Sequence, residues 1–159
     1  MLLPFFQWMQ ESPASMYILS TTWFSPIVQV MHLTALAIFA GSILIVDLRL
    51  IGVGVTATPL AQVARDARPW FFWGLIALFI TGMPSVASTA MKQYFSPFFW
   101  WKMELLMLGL VFTYTIRQKF VNNDASGELS PIWPKVAGMF SIAVWTGVAI
   151  GARLIGLLS

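Results

Sequence analysis

The sequence predicts an all-α polytopic membrane protein: a single domain, residues 1–159, of four transmembrane helices in a bundle with short interfacial helices. Three observations predict it. Of 159 residues, 58% are hydrophobic and only 9% are charged, and the mean hydropathy is +0.80. The apolar residues gather in four windows, each near the roughly 20 residues that a helix needs to cross a hydrocarbon core. Those windows lack the alternating pattern of barrel strands. Helices, which satisfy their own backbone amides, are then the economical way to cross lipid.

Residues 1–24 form the first element. They lack the basic start and small-residue cleavage site of a signal peptide and are expected to be retained. Phe5, Phe6, Trp8, Tyr17 and Trp23 set among Gln7, Gln10 and Glu11 suit an amphipathic segment lying in the interface. The spans follow at about 26–46, 70–90, 97–116 and 136–158. A hydroxyl residue followed by proline recurs as Ser12-Pro13, Ser25-Pro26, Thr58-Pro59, Ser96-Pro97 and Ser130-Pro131. The hydroxyl can cap free amides and proline suits the first helical position, so each pair reads as a helix start. Thr58-Pro59 on this basis predicts a separate interfacial helix over 60–67. Pro84, behind Gly82 inside the second span, predicts a kink or a freed carbonyl. Residues 122–130 form the one plainly polar loop.

Composition also excludes function classes. With no cysteine, disulfides, thiolate metal sites and iron–sulfur clusters are ruled out. The net charge of +3 is spread over loops and helix ends, so no nucleic-acid partner is expected. Arg49, Arg65 and Arg68 flank the first connection and Arg117, Lys119 and Lys135 the third, against Lys92 alone outside a span on the other side. The positive-inside rule then puts both connections in the cytoplasm and both termini outside.

That topology sorts the costly residues by depth. The one histidine, His32, lies about six residues, or roughly 9 Å, inside the outer end of span one. Lys102 and Glu104 in span three and Arg153 in span four share this layer, with Trp100 and Trp101 as interface anchors or pocket walls. Ionisable residues at such depth face the bundle interior or a watery cavity and pair with one another. One reading pairs Glu104 with Arg153 or Lys102 and lets His32 bond a carbonyl. The other surrounds a cofactor: a histidine ligand for haem iron and basic groups for its propionates. Met83 and Met107 lie near the same depth. Either thioether suits a sixth haem ligand or copper(I), with apolar filler as the ordinary role.

A second polar group sits at the inner end of span one, in the run from Asp47 to Gly52. Asp47 and Arg49 are two residues apart and point to different faces, so each needs a partner elsewhere. Arg65, Arg68 or Arg117 could serve Asp47, and Arg49 can reach lipid phosphates. Ala143, Gly147 and Gly151 make a small-residue stripe on span four, and Ala37 with Gly41 another on span one. Both invite close approach by a helix of this chain or of another protomer.

The run His32-Leu33-Thr34-Ala35-Leu36 through Gly41 to Val46-Asp47-Leu48-Arg49-Leu50-Ile51-Gly52, with Gly151-Ala152-Arg153-Leu154-Ile155, resembles an uncharacterised bacterial family of small four-helix membrane proteins. That family is distantly similar to the copper resistance D and b-type cytochrome membrane proteins. The resemblance implies a bundle in the bacterial inner membrane that holds haem b, with His32 as a helix-borne ligand. Di-haem relatives use four helix histidines and this chain has one, so two histidine-paired haems in one protomer are impossible. The expected function is electron transfer or small redox chemistry near the outer face. Haem would be held by His32, Arg153, Lys102 and Trp101, and a metal by His32, Glu104, Met107 and Met83. Copper is the alternative cofactor, a quinone or redox protein the partner, and a homo-oligomer the assembly. The competing classes are a metal-handling or transport protein and an assembly subunit without chemistry.

Overall fold

The computed structural model describes residues 3–123 and 132–158, with side chains as far as residue 155. In chain order the helices are α1 (Leu3–Gln10), α2 (Pro13–Ser20), α3 (Phe24–Ile51), α4 (Leu60–Ser88), α5 (Ala90–Phe95) and α6 (Pro97–Phe112). A π-helical turn (Thr113–Arg117), α7 (Gln118–Asn123) and α8 (Ile132–Leu158) follow, and no strand occurs among the described residues. Three helices, Phe24–Ile51, Leu60–Ser88 and Ile132–Ile155, are long and apolar enough to cross a membrane. The third window of the sequence falls on α6 and its π turn.

The long helices are antiparallel neighbours in the spatial order α4, α3, α8, α6. Their core has three layers. Phe6, Ala90 and Phe99 close the end where α1 and α5 meet α6. Phe39, Ile43 and Phe71 fill the middle against Leu110 and Trp145. Val46, Leu50, Leu60, Val63, Ala67 and Val121 fill the opposite, arginine-bearing end. Phe39 is central, with its ring 5.0 Å from those of both Phe71 and Trp145.

Helix starts follow the Ser/Thr-Pro pairs only in part. Ser12 caps α2, accepting the Ser15 amide at 3.3 Å, and Pro97 opens α6. Ser25-Pro26 instead lies within the first turn of α3, which begins at Phe24. Ser130-Pro131 lies outside the described residues. The separate helix expected over 60–67 does not exist, because α4 runs unbroken to Ser88 with both Pro69 and Pro84 inside it. Leu60, Val63, Ala67, Phe71 and Gly74 form one buried face across Pro69. Packing of that stripe on α3 outweighs the single backbone bond that Pro69 removes. Helix α3 ends at Gly52, whose φ of 89° is left-handed, and its amide and that of Val53 return to the Leu48 carbonyl. A residue without Cβ is the natural stop there.

Helices α1 and α2 fold back onto one end of the bundle. Phe6 sits among Tyr94, Phe99 and Trp100, the Gln10 side chain accepts the Met91 amide at 2.8 Å, and the Ser15 hydroxyl donates to the Ala87 carbonyl at 3.1 Å. The small-residue stripe of α8 is used within the chain. A Cβ on Gly147 would stand 3.0 Å from Leu105, and one on Gly151 3.4 Å from Lys102, so α8 approaches α6 closely there. Gly41, in contrast, faces open space.

Candidate functional site

His32 stands on α3 against Thr81 and Gly82 of α4. Its Nδ1 lies 2.9 Å from Thr81 Oγ1, while the Thr81 hydroxyl donates to the Ala77 carbonyl at 2.6 Å. A hydroxyl has one proton, and this one is already spent on Ala77. Thr81 therefore accepts from His32, and in the neutral imidazole Nδ1 carries the hydrogen. Nε2 is left with the free lone pair, and no described residue bonds it. Gly82 seats the ring: a Cβ there would lie 3.4 Å from His32 Cε1.

Of the residues that share the His32 layer in the sequence, Lys102 turns toward the interior. It is half-buried, and its ammonium lies 5.9 Å from the centre of the Phe99 ring. The others do not join them. Trp101, Glu104 and Met107 are exposed on α6, Met83 on α4 and Arg153 on α8. The helical period explains the division, since Phe99, Lys102, Gly109 and Phe112 share one side of α6 and Trp101, Glu104 and Met107 fall on the other. Glu104 forms no ion pair with Arg153 or Lys102, and the described residues contain one ion pair, elsewhere. They contain no group of three or more His, Cys, Asp or Glu that could hold a metal ion.

The one ion pair is the second polar centre. Asp47 is fully buried near the end of α3, where that helix packs on α8. Arg117 Nε lies 3.1 Å from Asp47 Oδ1, off the line of a hydrogen bond, so the contact is ionic. The Ser141 hydroxyl donates to Oδ2 at 2.5 Å, and Arg117 Nη2 donates to the Ile43 carbonyl at 3.2 Å. The π turn positions the arginine. In a regular α-helix the stripe Gly109, Thr113, Arg117, Val121 would drift around the axis, and a wider i→i+5 turn brings it back. All four are buried. Thr113 Oγ1 and Trp145 Nε1 are buried near this centre with no hydrogen-bond partner among the described residues.

Among the three arginines that the sequence offers to Asp47, Arg117 is thus the one chosen. Arg65 and Arg68 are exposed on α4, and Arg49 instead donates from Nε to the Thr58 carbonyl at 2.9 Å. Sequence reasoning missed Thr81 and Ser141. Each is a hydroxyl midway along a long apolar helix, where its proton needs an acceptor, and that is the signal that could have found them. Comparison with curated proteins and with solved structures gives no match. Residues 5–158 match the family of unknown function DUF6644, and the chain belongs to that family.

Proposed function

We propose that the chain is a bacterial inner-membrane protein that binds one b-type haem per protomer through His32 and serves electron transfer or small redox chemistry at the outer face. One observation carries this reading: the Thr81 oxygen holds Nδ1–H and leaves Nε2 free. Histidine metal ligands are oriented in this way by a partner on the other ring nitrogen. Lys102, on the interior side near His32, suits a haem propionate, and Arg153 at the surface suits a second. A bound haem would supply a one-electron couple. The chain itself contributes the ligand, its tautomer and the cations. The resemblance to copper resistance D and b-type cytochrome membrane proteins favours the same cofactor. The copper reading has less support, because Glu104, Met83 and Met107 turn away from His32.

Protein purified in mild detergent from haem-replete cells is expected to show a Soret band. His32→Ala should abolish it, and Thr81→Val, which leaves Nδ1 unpaired, should weaken haem retention. A colourless wild-type protein sinks the reading. Glu104 and Arg153, exposed without an ion pair among the described residues, support a homo-oligomer, since charges at such depth seek partners. Native mass spectrometry of the same preparation should show more than one protomer, and a strictly monomeric mass counts against it.

Four spans are part of this proposal. Helix α6, the π turn and α7 run without a break over 97–123, and outward residues such as Met103, Met107, Leu108 and Val111 are apolar. With Arg49, Arg65, Arg68, Arg117 and Lys135 inside, both termini lie outside. Reporter fusions should read outside at the C-terminus and inside at residues 122–130. The reverse result overturns the orientation.

A further inference from the structure

An open groove of about 510 Å³ runs between α3 and α4 at the arginine-bearing end of the bundle. Its floor is apolar and small-residued, with Gly41 and Ala67 among its lining, and Trp70 forms one wall. Gly41 lies 11 residues before Gly52, which is roughly 16 Å of helix at 1.5 Å per residue. The groove therefore reaches from the helix ends well into the depth that acyl chains occupy.

Its mouth has an uneven charge pattern. Asp66 and Thr58 line it. Positions 63, 66, 67 and 70 face the groove on α4, so Asp66 is the one acid on that apolar face, and it forms no ion pair among the described residues. Arg65 and Arg68, its near neighbours, fall on other faces of the helix. Arg49 is fixed beside the mouth by its Nε bond to the Thr58 carbonyl, and its two terminal amino groups bond no described residue. A carboxylate and a guanidinium thus flank the entrance to a hydrocarbon-lined groove without neutralising each other.

We propose that this groove binds a phosphatidylethanolamine: one acyl chain lies along Gly41 and Ala67, the phosphate is held by Arg49 and the headgroup ammonium by Asp66. The charge order selects that headgroup. A phosphate alone would satisfy Arg49 and leave Asp66 facing a like charge. A choline headgroup cannot donate a hydrogen bond to the carboxylate. The primary ammonium does both, as a charge-assisted donor one headgroup length from the phosphate.

The test is native mass spectrometry of the delipidated full-length protein with dioleoyl phosphatidylethanolamine, phosphatidylcholine or phosphatidylglycerol. Phosphatidylethanolamine should be retained about tenfold more tightly than phosphatidylcholine, the scale of one charge-assisted hydrogen bond. Asp66→Asn should bring that ratio near one, and Arg49→Gln should weaken all three lipids. Gly41→Leu places a side chain in the groove from a position where the added Cβ meets nothing within 4 Å, and should weaken all three lipids while the circular-dichroism melt stays that of the wild type. Dibrominated chains should quench the wild type more than Trp70→Phe. Equal binding of the ethanolamine and choline lipids, tighter binding of phosphatidylglycerol, an unchanged ratio in Asp66→Asn, full binding in Gly41→Leu, or equal quenching in Trp70→Phe each overturns the proposal.

Discussion

Replacing Asp47 with alanine is expected to destabilise the protein by about 3–5 kcal/mol, the usual cost of removing one partner from a buried ion pair. Arg117 is itself buried, and without Asp47 its remaining described contact is the Ile43 carbonyl. The guanidinium would then be an uncompensated charge between α3, α6 and α8. The asymmetry of such pairs supplies the control. Replacing both partners with apolar residues of similar volume removes the desolvation cost along with the attraction, so Asp47→Leu with Arg117→Met should recover most of the loss. Ser141→Ala removes a hydrogen bond to a charged group and should cost about 1.5–3 kcal/mol. Thermal unfolding in mild detergent, followed by circular dichroism, checks the series. An Asp47→Ala protein that melts with the wild type would mean that the pair carries no net stability.

A methyl group at Gly138 should also destabilise the protein, by less than the loss of the Asp47 charge nearby. A Cβ there would stand 2.8 Å from the Asp47 carbonyl oxygen, 2.9 Å from Ile51 Cγ1 and 3.2 Å from Leu50 Cβ. The nearest atom is helix backbone and cannot swing aside. Gly138→Ala must therefore push α8 off α3 in the turn that carries Ser141 to Asp47. Overpacking of this kind costs about 1–3 kcal/mol. Gly41→Ala is the matched comparison on α3, where the added Cβ meets nothing within 4 Å and the helix should gain roughly 0.5–1 kcal/mol from reduced backbone entropy. Opposite signs for two glycine-to-alanine changes within helices are the expected result. If both changes stabilise the protein, the close contact of α3 with α8 at Gly138 is wrong.

These two sites show how legibility divides. The sequence carries the need of Asp47 for a distant partner, because Arg49 two residues on cannot share its helix face. It does not carry the choice among Arg65, Arg68 and Arg117. That choice depends on α8 lying against both α3 and α6, and on a π turn whose wider i→i+5 spacing has no local sequence signal. In the His32 layer, the height of each residue along its own helix was legible because it counts residues. Azimuth was not, since which side of α6 meets α8 is set by Gly109, Gly147 and Gly151 packing against side chains far away in the chain. Lys102 consequently turns inward while Trp101, Glu104 and Met107, within five residues of it, turn out.

By itself the sequence determined the helical class and the apolar windows, because hydropathy and length act locally. It also singled out His32 and Asp47, since a polar group in an apolar helix is costly wherever the helix packs. The tertiary structure decided the rest: that α4 continues through Pro69, that Thr81 fixes the His32 tautomer, and that Arg117 and Ser141 meet Asp47. Each of these depends on the energy of contacts between helices distant in sequence. Such contacts can outweigh a local break signal or select one of several equivalent partners, and no periodicity within a single segment records them.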